Sequence, residues 1–130
     1  MWASSLALNG LTGSGKVGAW TCHPIEHELS AHYDITHGVG LAILTPSWMR
    51  YILSEDTVDK FCEYAINVWH LPAKEDKFAL ANEAIDATEN FFKECGIPMT
   101  LRVVVIDDSK FKERAAAAVK HGNLKYAYVS

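Results

Sequence analysis

Two stretches with apolar residues at helical spacing constrain this 130-residue chain more than any other feature. Between Ser54 and Leu71, the residues Val58, Phe61, Cys62, Ala65, Ile66 and Trp69 recur three and four positions apart, which puts them on one helical stripe. Between Lys74 and Cys95, Phe78, Ala81, Ile85, Thr88 and Phe92 repeat the pattern. Punctuation agrees with the periodicity. Ser54, Thr57 and Asp59 supply capping groups, Pro72 ends the first run, and Gly96 suits the position just past the end of the second.

The rest of the chain reads the same way. Residues 2–9 predict a short apolar helix, followed by the glycine-broken "GLTGSGKVG". A helix is expected from about Thr21, as its N-cap, to Tyr33, with Pro24 tolerable in the first turn. Asp34 or Thr36 can cap another from His37 to about Leu53, in which Pro46 predicts a kink or a break. A last helix is expected over Ser109–Lys120, and only Val103, Val104 and Val105 have strand character. No repeat, low-complexity tract or dividing linker interrupts the pattern. The expected class is all-α, a helical bundle, with residues 1–130 forming one helical domain.

Composition removes several functions. The net charge is −4, so nothing here suits nucleic acid. No apolar run approaches the ~20 residues of a membrane span, and "MWASSLALNG" lacks the basic n-region and cleavage signature expected of a secretory signal. Cys22, Cys62 and Cys95 are odd in number and widely spaced, which points to a reducing, cytoplasmic setting.

Gly10, Gly15 and Lys16 satisfy the GxxxxGK spacing of a phosphate-binding loop, but the hydroxyl that would bind Mg²⁺ is replaced by Val17. A helix, moreover, is expected before that loop rather than a strand. A plain interhelical loop is the better reading.

Chemistry concentrates in "HPIEHELSAHYDITHG", which holds His23, His27, His32 and His37. His27-Glu28 opens like a metalloprotease motif, yet His32 stands five positions on. Five helical steps turn roughly 500°, leaving the two imidazoles about 140° apart, so that motif fails. His23 and His27 are four apart and share a face. In one unbroken helix His37 would lie roughly 21 Å from His23. A turn at "YDIT" instead lets His37 open the next helix and fold back. Two such ligands are fewer than the three or four protein donors a catalytic ion ordinarily takes. Glu26 turns about 100° from His27, and a nearby carboxylate can serve behind a ligand rather than on the ion. Spacing alone leaves open a metal site, exposed polar histidines, or core histidines satisfied by carbonyls.

"HPIEHELSAHYDITHGVGLAILTPSWM" resembles the signature of the iron-containing alcohol dehydrogenases, approximately H-x-x-x-H-x-L-[GST]-A-x-x-x-x-x-H-G. "ASSLALNGL" and "IPMTLRVVVIDDSKF" resemble the NADH-dependent butanol dehydrogenase branch. The resemblance implies an α/β dinucleotide-binding domain followed by an all-helical C-terminal domain. It implies Fe²⁺, or Zn²⁺, held by one Asp and three His, and reversible conversion of a small primary alcohol to its aldehyde with NAD(P)H. Carried over by position, His23 and His37 are metal ligands, and His27 is a non-ligand histidine facing nicotinamide and substrate, a candidate for proton relay. His32 has no role and is expected at the surface.

The departures matter equally. No D-x-x-x-H occurs, no glycine-rich dinucleotide motif follows a strand, and the chain ends at "LKYAYVS". The expectation is a partial C-terminal domain without the dinucleotide-binding domain, carrying two of four metal ligands and inactive alone. Trp2, Leu6 and Leu8 would then ordinarily be covered by missing parts, and self-association into a homo-oligomer is possible through such faces. The alternative is a non-enzymatic helical binding or assembly module with a degenerate histidine cluster.

Overall fold

The two strongest sequence stripes meet as α4 (Val58–Asn67) and α5 (Lys77–Glu94) in a computed structural model that describes residues 1–15, 20–102 and 111–122. Their contact forms the main core. Val58, Phe61, Ala81 and Ile85 are buried together, with Met49, Ile52 and Phe78 against them. Ala65, Leu80 and Ala84 extend the same seam toward Tyr64, Trp69 and Leu71. Burying each of the larger aliphatic and aromatic side chains contributes roughly 1.5–3 kcal/mol. Ile66, counted in the first stripe, lies at its edge, 41% exposed. Leu80 and Ala84, omitted from the second, are buried because α4 and the segment after it, through Ala65, Tyr64, Trp69 and Leu71, cover a wider face of α5 than the stripe marked.

The other helices are α1 (Trp2–Leu8), α2 (Cys22–Tyr33), α3 (His37–Ile52) and α6 (Phe111–Gly122). In space α4 packs on α5, α5 on α3, α3 on α2, and α2 on α6. Among the described residues there are six helices and no strand, so the fold is all-α as the periodicities predict. The valines 103–105 lie outside the described residues, as do Lys16 and Val17 of the glycine-rich loop. No described helix is long and apolar enough to cross a membrane. α1 buries no side chain, and Trp2 and Leu8 are 78% and 68% exposed.

Helix ends follow the sequence unevenly. Gly96 adopts φ +79, and its N–H reaches the Lys93 carbonyl at 2.9 Å, closing α5 as a glycine just past a helix end does. Asp76, not singled out by sequence, caps α5 by accepting from the Ala79 N–H at 2.9 Å. Thr57 Oγ1 accepts from the Ser54 N–H at 2.9 Å ahead of α4. Thr21 and Thr36 occupy cap positions but make no capping bond with their side chains. The backbone at Thr21 is already helical (φ −63, ψ −43), which leaves its hydroxyl buried without a partner among the described residues. α3 runs through Pro46 unbroken, so of the kink or break expected there the break does not occur. The ring is fully buried, and that apolar burial offsets part of the ~3 kcal/mol that a proline inside a helix costs.

Candidate metal centre

The reversal that the histidines require occurs at Asp34. It takes a left-handed conformation (φ 51, ψ 36) while its N–H bonds the Ser30 carbonyl at 3.0 Å and ends α2. Asp tolerates this region better than most residues. Ile35 and Thr36 follow, with Thr36 extended, and α3 begins at His37. The Thr36 carbonyl accepts from the N–H groups of Val39 and Gly40, so the first turn of α3 is fixed directly behind His37.

On α2, His23, Glu26, His27 and Ser30 stand at i, i+3, i+4 and i+7, one face of a helix. That face turns toward the start of α3. The ring centroids of His23 and His37 are 5.4 Å apart, those of His27 and His37 5.2 Å, and those of His23 and His27 6.3 Å. Trp20 packs edge-on against His23 at 4.7 Å. Three imidazoles from two helices thus meet at one place. His32 points away and is exposed, as expected. His121 pairs instead with Glu28, Nδ1 to Oε1 3.0 Å, and His70 lies in the connection between α4 and α5.

Sequence reasoning turned Glu26 away from His27 as a ligand and left open a nearby carboxylate behind one, which is where Glu26 stands. Its carboxylate is fully buried, with Oε1 on the Ser30 hydroxyl and Oε2 on His37 Nδ1. Space for it comes from Gly40 on α3. A Cβ added there would stand 2.6 Å from both Glu26 Cγ and Oε1, closer than real Cβ contacts come. Gly40 is therefore required by the carboxylate and not by its own backbone angles.

Donor atoms of Glu26, His27 and His37 lie within 4.8 Å of one another, the grouping of metal-capable side chains found among the described residues. Imidazole nitrogen with carboxylate oxygen is a donor set that Fe²⁺ and Zn²⁺ both accept. His23 adds a third imidazole at ring contact. Desolvation first, then the neighbouring His37 and His27, push its pKa below the ordinary 6.5, against an opposing pull from Glu26. The neutral ring, with a lone pair to donate, is thereby favoured.

The opposite side of α2 does something else. Cys22, Ile25 and Leu29 line an apolar cavity of about 530 Å³ that Leu44, Trp48 and Ala118 close from α3 and α6. None of the three clustered histidines lines it.

Comparison with known proteins agrees with this architecture. Residues 1–129 match the family model described as Fe-containing alcohol dehydrogenase family, C-terminal. NADH-dependent butanol dehydrogenase A of Clostridium acetobutylicum is 56% identical over 121 residues, covering 93% of this chain and 31% of that protein. The NADPH-dependent aldehyde reductase of Escherichia coli is 36% identical over 124 residues, 94% of this chain and 31% of that protein. The crystal structure of an NADH-dependent butanol dehydrogenase A from Thermotoga maritima superposes with a TM-score of 0.82 at 33% identity, over 99% of this chain and 32% of that one. This chain spans about a third of the length of the relatives it matches. Its all-helical fold and the match over nearly every residue place the chain in the Fe-containing alcohol dehydrogenase family, where it corresponds to the C-terminal region.

Proposed function

We propose that this chain supplies part of the metal-binding and proton-handling apparatus of an NAD(P)H-dependent enzyme that interconverts a small primary alcohol and its aldehyde. The observation that carries the reading is the meeting of His23, His27 and His37 from two helices joined by the Asp34 turn. His23 and His37 would hold a divalent ion, Fe²⁺ in the family's pattern or Zn²⁺, each through a neutral ring nitrogen. When bound, such an ion supplies Lewis acidity to a carbonyl or alkoxide oxygen. His27, exposed and one turn beyond His23, is placed to exchange a proton with that oxygen or with water. Two imidazoles are fewer than the protein ligands a catalytic ion takes. The remaining donors and the dinucleotide site would belong to the two-thirds of the relatives that this chain does not span. Alone, the chain is expected to be inactive.

A second ligand set has an observation of its own, the proximity of Glu26, His27 and His37 donors. Against it, both Glu26 oxygens are already engaged and the residue is sealed from solvent, whereas His23 and His37 remain accessible for coordination.

Calorimetric titration with Zn²⁺, and with Fe²⁺ under anaerobic conditions, separates these sets. His23→Ala and His37→Ala should each weaken binding, and His27→Ala should leave it nearly intact. Unchanged affinity in the first two would remove the metal reading. NADH oxidation with butanal and added metal should be absent for the chain by itself, and steady turnover would overturn its incompleteness.

A further inference from the structure

We infer that Glu26 is a positioning residue: through Oε2 it holds His37 in the Nδ1–H tautomer, so that Nε2 is the nitrogen left to donate. The inference rests on the metal reading above for its functional consequence, but not for its geometry. A neutral imidazole carries one proton, and the partner of one nitrogen decides where that proton sits. A carboxylate can only accept, so the contact between Glu26 Oε2 and His37 Nδ1 assigns the proton to Nδ1. Nε2 then has the free lone pair. Side chains that bind metals through one ring nitrogen commonly use this device, because it fixes both the ring's rotation and its basicity.

The surroundings of Glu26 are built around that contact. Oε1 meets the Ser30 hydroxyl, which also lies 3.0 Å from the Ile35 carbonyl in the turn. Ser30 has one proton and two acceptors in reach, the carboxylate and a carbonyl of the turn that delivers His37, and it shares or alternates that proton between them. Glu26 is among the largest fully buried side chains in the protein, although it is an acid. Acids are almost never fully buried without partners. Gly40, by lacking a Cβ, leaves the carboxylate its place against α3. Two helices, two partners and one absent methyl converge on a group that neither faces solvent nor belongs to the hydrophobic core. Structural duty alone would be met as well by an apolar residue of the same volume.

The test reads the tautomer directly, without metal and without activity. Ring ¹⁵N shifts of the histidine-labelled full chain are recorded under alkaline conditions where the rings are neutral, with His37→Gln supplying the assignment. The expected result is Nδ1–H at His37, opposite to the Nε2–H form that neutral histidine ordinarily prefers. Nε2–H at His37 in the unmutated chain would overturn the inference outright. Glu26→Gln should keep Nδ1–H, because the amide oxygen still accepts from His37 while the amide N–H donates to Ser30, whose hydroxyl turns to Ile35. Glu26→Ala should lose it. Zn²⁺ affinity should fall about 10- to 100-fold in Glu26→Ala and far less in Glu26→Gln. A tautomer that switches in Glu26→Ala with no change in Zn²⁺ affinity would refute positioning for a metal. Unchanged affinity in His23→Ala and His37→Ala would instead sink the metal reading and leave the tautomer assignment standing. Should Glu26→Ala not fold, the unmutated chain and Glu26→Gln still decide the matter.

Discussion

Replacing Gly40 by alanine should destabilise the chain, and the same change should become stabilising once Glu26 is alanine. The added Cβ would sit 2.6 Å from Glu26 Cγ, 2.6 Å from Oε1 and 3.0 Å from Cδ. Carbon atoms in good contact are roughly 3.5–4.0 Å apart, so about an ångström of displacement is needed. The carboxylate has nowhere easy to go, being held at both oxygens and sealed from solvent. Overpacking of this kind costs about 1–3 kcal/mol. If the carboxylate is driven off its partners, lost hydrogen bonding adds about 1–3 kcal/mol. Alanine in a helix returns only about 0.5–1 kcal/mol over glycine. The net expectation in the native background is a loss of up to about 2.5 kcal/mol from overpacking alone, and of about 1–5.5 kcal/mol where the carboxylate is also displaced. In Glu26→Ala none of the three clashing atoms exists, and only the helical gain of about 0.5–1 kcal/mol remains. The helical gain is common to both backgrounds and cancels, so the coupling measured by the cycle should be at least ~1 kcal/mol. Urea unfolding of the four chains, followed by far-ultraviolet circular dichroism, gives the cycle. Equal effects of Gly40→Ala in the two backgrounds would refute the claim that Gly40 exists to admit the carboxylate.

Three other outcomes are expected. Ile85→Ala, at a fully buried position between α4 and α5, should cost about 2–5 kcal/mol in the same unfolding assay. Thr88 Oγ1 donates to the Ala84 carbonyl at 2.8 Å, so the Tyr64 hydroxyl, 2.7 Å away, must donate to it. Thr88→Val should therefore cost more than Tyr64→Phe, roughly 1–3 against 0.5–1.5 kcal/mol, because only the first strands a donor. The folded site holds the pKa of His23 below its ordinary 6.5, so below that pH the unfolded chain takes up a proton that the folded one resists. Stability should then fall as pH drops through 6.5, and His23→Gln should flatten the profile from there downward. An unaltered slope in the variant would assign the loss to other groups.

The helices were legible because their apolar residues obey one period. α4 and α5 could be written down from Val58, Phe61, Ala65, Ala81 and Ile85, since burial between two partners demands that spacing. Caps were less legible. Thr21 and Thr36 are good capping residues by type, but a cap forms only if the preceding chain arrives at the right angle. The continuity of α3 through Pro46 was invisible for a related reason. Proline's local cost is fixed, whereas the burial that offsets it depends on neighbours from other helices. The turn after Tyr33 could be anticipated from Asp34, one of the residue types that enter left-handed backbone, and from it follows the meeting of His23 with His37.

Glu26 shows where reading the site from sequence stops. Its angle from His27, about 100°, makes the carboxylate look as though it faces elsewhere. Measured from His23 it stands three positions on, with Ser30 a further four, and so it shares the stripe that turns to α3. That much was present in the spacing. What spacing could not supply is the other side of the contact. A glycine at position 40 is unremarkable in a run that also contains Gly38, which meets nothing within 4 Å, and only the crossing of α2 over α3 distinguishes the two. A buried acid is intelligible once its acceptor atoms, the hydroxyl below it, the imidazole above it and the missing methyl beside it are counted together. The count closes on His37, and it makes the tautomer of that ring the most direct measure of whether these two helices were shaped to present a metal ligand.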